Sequence, residues 1–209
     1  MEIQYKGANC VLIQSGKNRL FSDANLNENK IPISFSKTDV LLSSQKNLRV
    51  SDENLFQIID PGEYEASGFA IIGIPIRSHT DELGQKSAVL YRVTANNISA
   101  CITGHIHPEI SDEDLEEIGM VDVLIIPVGG HGFTLDAVGA VSVARKISPK
   151  IIIPTHYDQK GLTYPVPQDP IELFIKEMGL QSETMDKLKI KNSLLLPEST
   201  QVIELKKVV

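Results

Sequence analysis

The sequence predicts a mixed α/β (α+β) chain in which a β-rich layer comes first and strand–helix–strand units come after it. Three observations carry this. Roughly the first two-thirds of the 209 residues breaks into short apolar runs separated by turn signals, the spacing of an all-β layer. The pattern then changes at Ser111-Asp112-Glu113-Asp114, which has the shape of a capping box with an acidic first turn. Two continuous apolar runs, Val121–Val128 and Lys150–Pro154, then flank a stretch rich in Ala and Val, which gives βαβ units beside the β-rich layer.

From the N-terminus, Ile3–Tyr5, Cys10–Gln14 and Arg19–Ser22 alternate or run apolar, with Gly7 and Ser15-Gly16-Lys17-Asn18 as turns. Asp39–Leu42 is a short apolar run, and Phe56–Ile59 leads into Pro61-Gly62. Glu63–Glu65, Phe69–Ile76 and Ala88–Thr94 come next, and Asn96-Asn97 turns the chain into Ile98–Ile102. Helices are expected over Asp112–Ile118, Leu135–Ile147 and Asp169–Met178, and a last strand over Ser199–Val208. No internal repeat, low-complexity segment or linker interrupts residues 1–209, which read as a single domain.

Composition narrows the function classes. Hydrophobic residues make up 42% and charged residues 22%, as in an ordinary globular protein. The longest apolar runs are too short to span a bilayer, and the N-terminus lacks the basic and apolar regions of a secretory signal, so the cytoplasm is the expected compartment. A formal net charge of -7 argues against a nucleic-acid surface, which needs clustered Lys and Arg. Cys10 and Cys101 lie in apolar runs and read as buried reduced thiols. The expected partner is a small molecule or a protein, and self-association into a homo-oligomer stays open.

Four segments carry a resemblance. They are Pro61-Gly62-Glu63-Tyr64-Glu65, Val121–Gly130, Phe133-Thr134-Leu135-Asp136-Ala137 and Pro149–Tyr157. In content, order and spacing they resemble the zinc-dependent hydrolases of the metallo-β-lactamase superfamily, in the branch of ascorbate-6-phosphate lactonase-like proteins, from Met1 to Tyr157. The resemblance implies a four-layer αββα sandwich and metal-assisted hydrolysis, in which zinc lowers the pKa of a bound water and polarises the scissile bond.

Against that pattern the chain departs at the ligands. The family's HxHxDH segment comes after a strand ending in Leu-Ser, here Val40-Leu41-Leu42-Ser43. The next six residues are Ser44-Gln45-Lys46-Asn47-Leu48-Arg49, with no imidazole, thiolate or carboxylate and with two cations. The early histidine after the first glycine is also missing, since Gly7 precedes Ala8. The family's bridging Gly-Asp corresponds to Gly104-His105. Asp23 keeps an acidic position without the usual Pro, while His79 and His156 match the third-motif and final histidines.

Other residues are weaker candidates. His105 and His107 form a His-x-His pair, and on an extended segment i and i+2 share a face, so both could reach one ion; the bland alternative is a polar loop. His131 sits in Gly129-Gly130-His131-Gly132 and reads first as an exposed loop residue, though such a loop admits a ligand closely. That loop before a helix could hold an anion but lacks the Lys of a P-loop. Asp136 matches a polar family position beside the site, with helix capping the preferred role.

These residues support two functions. The chain is a degenerate family member acting as a binding or regulatory protein with no cofactor. The alternative is a divergent hydrolase with one relocated zinc on His79, His105 and His156, completed by His107 or Asp136.

Overall fold

The computed structural model describes residues 1–29 and 31–208. Strands β1 (Glu2–Gly7), β2 (Cys10–Ser15), β3 (Asn18–Ser22), β4 (Val40–Leu42) and β5 (Phe56–Ile58) form most of one sheet. Strands β6 (Gly62–Ala66), β7 (Phe69–Ile76), β8 (Ala88–Ala95) and β9 (Ile98–Ile102) begin a second, continued by β10 (Val123–Pro127) and β11 (Ile151–Thr155). Helices α1 (Asp112–Ile118), α2 (Ala137–Ile147) and α3 (Ile171–Met178) interrupt the later strands. Strands β12 (Ser182–Met185), β13 (Leu188–Lys189) and β14 (Gln201–Leu205) complete the chain.

The strand order is β13-β1-β2-β3-β4-β5 in the six-stranded sheet and β12-β14-β11-β10-β9-β8-β7-β6 in the eight-stranded one. One apolar cluster spans both, from Ile3, Val11 and Leu20 to Leu90, Ile125 and Ile153. This is the mixed αββα sandwich that the sequence predicts. Its fully buried strands β10 and β11 are central and parallel, covered on both faces.

The outer layers are unequal. α2 packs on α3 and against β10, and α1 against β7, so the three helices lie on the eight-stranded sheet. The outer face of the six-stranded sheet is covered by irregular chain instead. Cys10, Leu12 and Phe21 point that way and pack with Ala24, Leu26, Ile31, Ile33 and Phe35.

Local chemistry explains the boundaries. α1 matches its expected range because Ser111 and Asp114 form a reciprocal capping box. α2 starts at Ala137 instead of Leu135 because Asp136 is its N-cap, and α3 starts at Ile171 because Pro170 stands at the cap position. β10 is shorter than Val121–Val128 because the Asp122 carboxylate accepts from Ser99 N and Oγ, which turns the chain there. β12 and β13 have no counterpart among the strands expected from sequence. Both lie at sheet edges, where partners supply hydrogen bonds and the sequence needs no apolar run.

Candidate functional site

The two sheets deliver the site at one edge. β3 and β4 run parallel, as do β9, β10 and β11. Their C-terminal ends release Asp23 after Ser22, Ser43-Ser44 after Leu42, Gly104-His105 after Ile102, and His156 after Thr155. The turn between β1 and β2 adds Asn9. A cavity of about 610 Å³ opens here, lined among others by Asn9, Asp23, His105, Phe133, His156 and Tyr164. That is the size of a small-molecule site, placed where parallel strands end.

Three lining residues are held in the left-handed region: Ala8 (φ 49°), Asp23 (φ 40°) and His156 (φ 51°). Such a conformation costs about 1–3 kcal/mol for a non-glycine residue and persists only where neighbours enforce it. Here Asp23 N donates to Leu42 O at 2.8 Å, and His156 N donates to Ala8 O at 3.0 Å.

Asp23 is buried, and both of its oxygens are engaged by one residue. Ser44 N donates to Oδ1 and Ser44 Oγ to Oδ2, each at 2.7 Å. Burial pushes this carboxyl up to about 6, while the two Ser44 bonds pull it back. Ser44 can sit there only because position 104 is glycine. Gly104 has φ +61°, and a Cβ there would collide with Ser44 Cβ and Oγ.

The imidazoles of His105 and His156 meet edge to face with centroids 5.3 Å apart. Burial pushes His105 down to about 3, helped by the neighbouring His156 and His79, and burial also lowers His156. Both rings are therefore neutral at physiological pH. The tautomer of His156 is set by its partner. Gln168 Nε2 donates to the carbonyls of Val166 and Pro167, so its Oε1 accepts, and His156 Nδ1 donates to it at 2.9 Å. Nε2 then carries the lone pair. Gly129 makes room for this pair, since a Cβ there would collide with Gln168 Oε1 and His156 O. Asn9 is fixed similarly: its Oδ1 accepts from Thr155 Oγ1, so its Nδ2 donates towards the His105 ring, 3.3 Å from Nδ1 and 3.4 Å from Nε2.

The other candidates are less closely engaged with this pair, His79 being the nearest to His105. His79 is joined to His105 through the backbone, its N donating to His105 O at 3.0 Å, but its ring neighbours that of His107 at 6.0 Å. His79 Nδ1 is buried and has no hydrogen-bond partner among the described residues. His107 Nδ1 accepts from Glu109 N at 3.1 Å, so the His-x-His pair divides between two neighbourhoods. His131 is 44% exposed and its Nε2 lies 3.1 Å from Asp169 Oδ1. Asp136 Oδ1 accepts from Gly139 N at 2.7 Å, the capping role that its position suggests. Cys10 and Cys101 are buried free thiols pushed up by burial, Cys101 to about 12.

The donor set does not fit a catalytic metal ion as arranged. Among the described residues no three His, Cys, Asp or Glu side chains are placed to hold one. Asp23 is held by Ser44 through both oxygens, and an Asn9 amide donor faces the His105 ring. Gln45 donates to Ser78 Oγ at 3.0 Å, and the Lys46 ammonium is 3.9 Å from Asp60 Oδ1. Sequence reasoning singles out neither Asn9 nor Gln168 nor Ser44. Asn9 and Gln168 carry no local signal, and Ser44 is an ordinary serine until Gly104 and Asp23 fold around it.

Comparison with known proteins agrees with this architecture. The pattern of the beta-lactamase superfamily domain matches residues 2–156. The chain belongs to the metallo-β-lactamase superfamily. A metal-dependent hydrolase of Thermoplasma acidophilum is 41% identical over 49 residues, which cover 22% of this chain and 21% of that protein. One from Carboxydothermus hydrogenoformans is 42% identical over 52 residues, 25% of this chain and 21% of its own length. The chain thus spans about a fifth of the length of these relatives where it matches them. A Thermotoga maritima structure named for the Zn-dependent hydrolases of this superfamily superposes with a TM-score of 0.77 at 24% identity, covering 98% of both chains. A metallo-β-lactamase fold protein of Bacillus subtilis gives 0.61 at 10% identity, over 100% of this chain and 98% of that one. At these identities the structural likeness concerns the fold. No helix among the described residues is long and apolar enough to cross a membrane.

Proposed function

We propose that this chain is a small-molecule-binding member of a hydrolase superfamily, with its catalytic metal chemistry lost. One observation carries the reading: both oxygens of Asp23 are taken by Ser44, which stands at the head of a segment with no metal-ligating side chain. The two bonds hold this carboxylate as a bracket between two loops, and among the described residues no three His, Cys, Asp or Glu side chains are grouped to hold a metal. The cavity, its strained lining and its neutral imidazoles persist, and they suit a binding site that recognises by hydrogen bonds.

A second reading keeps hydrolysis with one zinc. It is favoured by the His105–His156 contact and by the His156 Nδ1–Gln168 bond, since ligating histidines commonly donate their other nitrogen to a carbonyl. Metal content decides. Protein purified without chelator is analysed by mass spectrometry, then titrated with zinc by calorimetry. The proposal expects far less than one zinc per chain. A stoichiometric zinc that disappears in His105→Ala overturns it in favour of the second reading.

A further inference from the structure

The cavity that the binding reading rests on has a lining with a particular chemistry. Three half-buried amides, Asn25, Asn29 and Gln45, are each fixed by one half. Asn25 Nδ2 donates to Arg49 O at 3.1 Å, and Gln45 Nε2 donates to Ser78 Oγ at 3.0 Å. Asn29 Oδ1 accepts from Thr163 N at 2.6 Å. Among the described residues no partner takes the other half of any of them. This leaves two carbonyl acceptors and one amide donor on cavity-lining side chains that are already held, so little rotamer freedom remains to be lost on binding.

Full charges, by contrast, are spent or turned out. Asp23 is bracketed by Ser44. The Lys46 side chain is 78% exposed and lies near Asp60. His105 and His156 are neutral. An anionic ligand would find no dedicated cation inside, and the one carboxylate in the lining, Asp23, is already held by two bonds from Ser44. An aromatic face completes the pattern: Phe133 lines the cavity yet is 50% exposed, an apolar surface that the fold leaves in water at the mouth. Tyr164 offers a second ring, 4.5 Å from that of His156.

Held amide donors and acceptors beside aromatic faces match a molecule that is apolar on the faces of its ring and carries hydroxyls around its edge. We propose that the cavity binds a neutral carbohydrate or cyclitol, with its hydroxyls on Asn25, Asn29 and Gln45 and a ring face on Phe133. Each hydroxyl both donates and accepts, so it can pair with either half of an amide.

The test uses the whole protein, with calorimetry and saturation-transfer NMR. The probes are D-glucose, D-galactose, N-acetyl-D-glucosamine, maltose and myo-inositol, then D-glucose 6-phosphate, inorganic phosphate and zinc chloride alone. At least one neutral probe is expected to bind, with phosphorylation giving no gain. Gln45→Ala and Asn25→Ala should each weaken it about tenfold, the loss of one hydrogen bond worth ~1.4 kcal/mol. Phe133→Ala, at an exposed position that folding does not need, should weaken it too while thermal unfolding is unchanged. Silence of every neutral probe overturns the proposal. Tighter binding of the phosphates also overturns the ligand class but leaves the binding reading standing. Stoichiometric zinc binding at His105 overturns both.

Discussion

Ser44 donates two hydrogen bonds to Asp23, one from its backbone and one from its hydroxyl, and so fixes a buried carboxylate at the site. Asp23 is buried and its carboxyl is raised from 3.8 to about 6. The folded state therefore holds a proton that the unfolded chain releases between those values. Stability from this group is present at low pH and lost as pH rises from about 4 to 6. Asp23→Asn keeps the shape without the charge. Its urea-unfolding free energy relative to the natural chain should rise across that window by on the order of 3 kcal/mol, levelling above pH 6. A difference independent of pH would contradict the buried ionised carboxyl.

Gly104 and Ser44 should behave as a coupled pair. Gly104→Ala puts a methyl into Ser44 at a positive φ and should destabilise by on the order of 3 kcal/mol. Adding Ser44→Gly removes the collision and should restore part of that loss, leaving the backbone strain and the lost hydroxyl bond. Chemical denaturation of the two single variants and the double variant reads the coupling, and strictly additive effects would show that the two residues do not touch.

His105 and His156 should resist protonation. Both are shifted down by burial, so below pH 6.5 the unfolded chain takes up protons more readily than the folded chain. Stability should fall with acid below pH 6.5, by about 1.4 kcal/mol per pH unit for His105 and in the same direction for His156, opposed in part by Asp23 between 6 and 4. His105→Asn should flatten this slope. NMR of the imidazole carbons should show His105 unprotonated at pH 5, and a midpoint near 6.5 would refute its burial.

Asp136 should matter for stability alone. Asp136→Ala removes the acceptor for Gly139 N and should cost about 1 kcal/mol of unfolding free energy. Asp136→Asn, which retains an oxygen acceptor, should recover most of it. Retention of zinc or ligand affinity in both variants would agree with a cap, and loss in both would make Asp136 a site residue.

The sequence by itself determined the layers. Apolar runs such as Ile98–Ile102 and Val121–Val128 have only one way to leave water, and the Ser111–Asp114 capping box fixed the start of α1 through four neighbouring residues. It also determined that Ser44–Arg49 offers no metal ligand, because ligand chemistry belongs to the side chain and not to its surroundings. Tertiary structure alone decided which side chains meet at the site. Asp23 and Ser44 are 21 residues apart, Asn9 and His105 are 96 apart, and Asn9 and Thr155 are 146 apart. No local pattern encodes such pairs, since hydrogen bonds of this reach exist only when separate strand ends meet at one edge. The covering of the six-stranded sheet was hidden for a related reason. Ile31, Ile33 and Phe35 alternate with Pro32 and Ser34 at the period of a strand, yet this stretch forms no strand and packs as irregular chain, so the period alone misstates what the segment becomes.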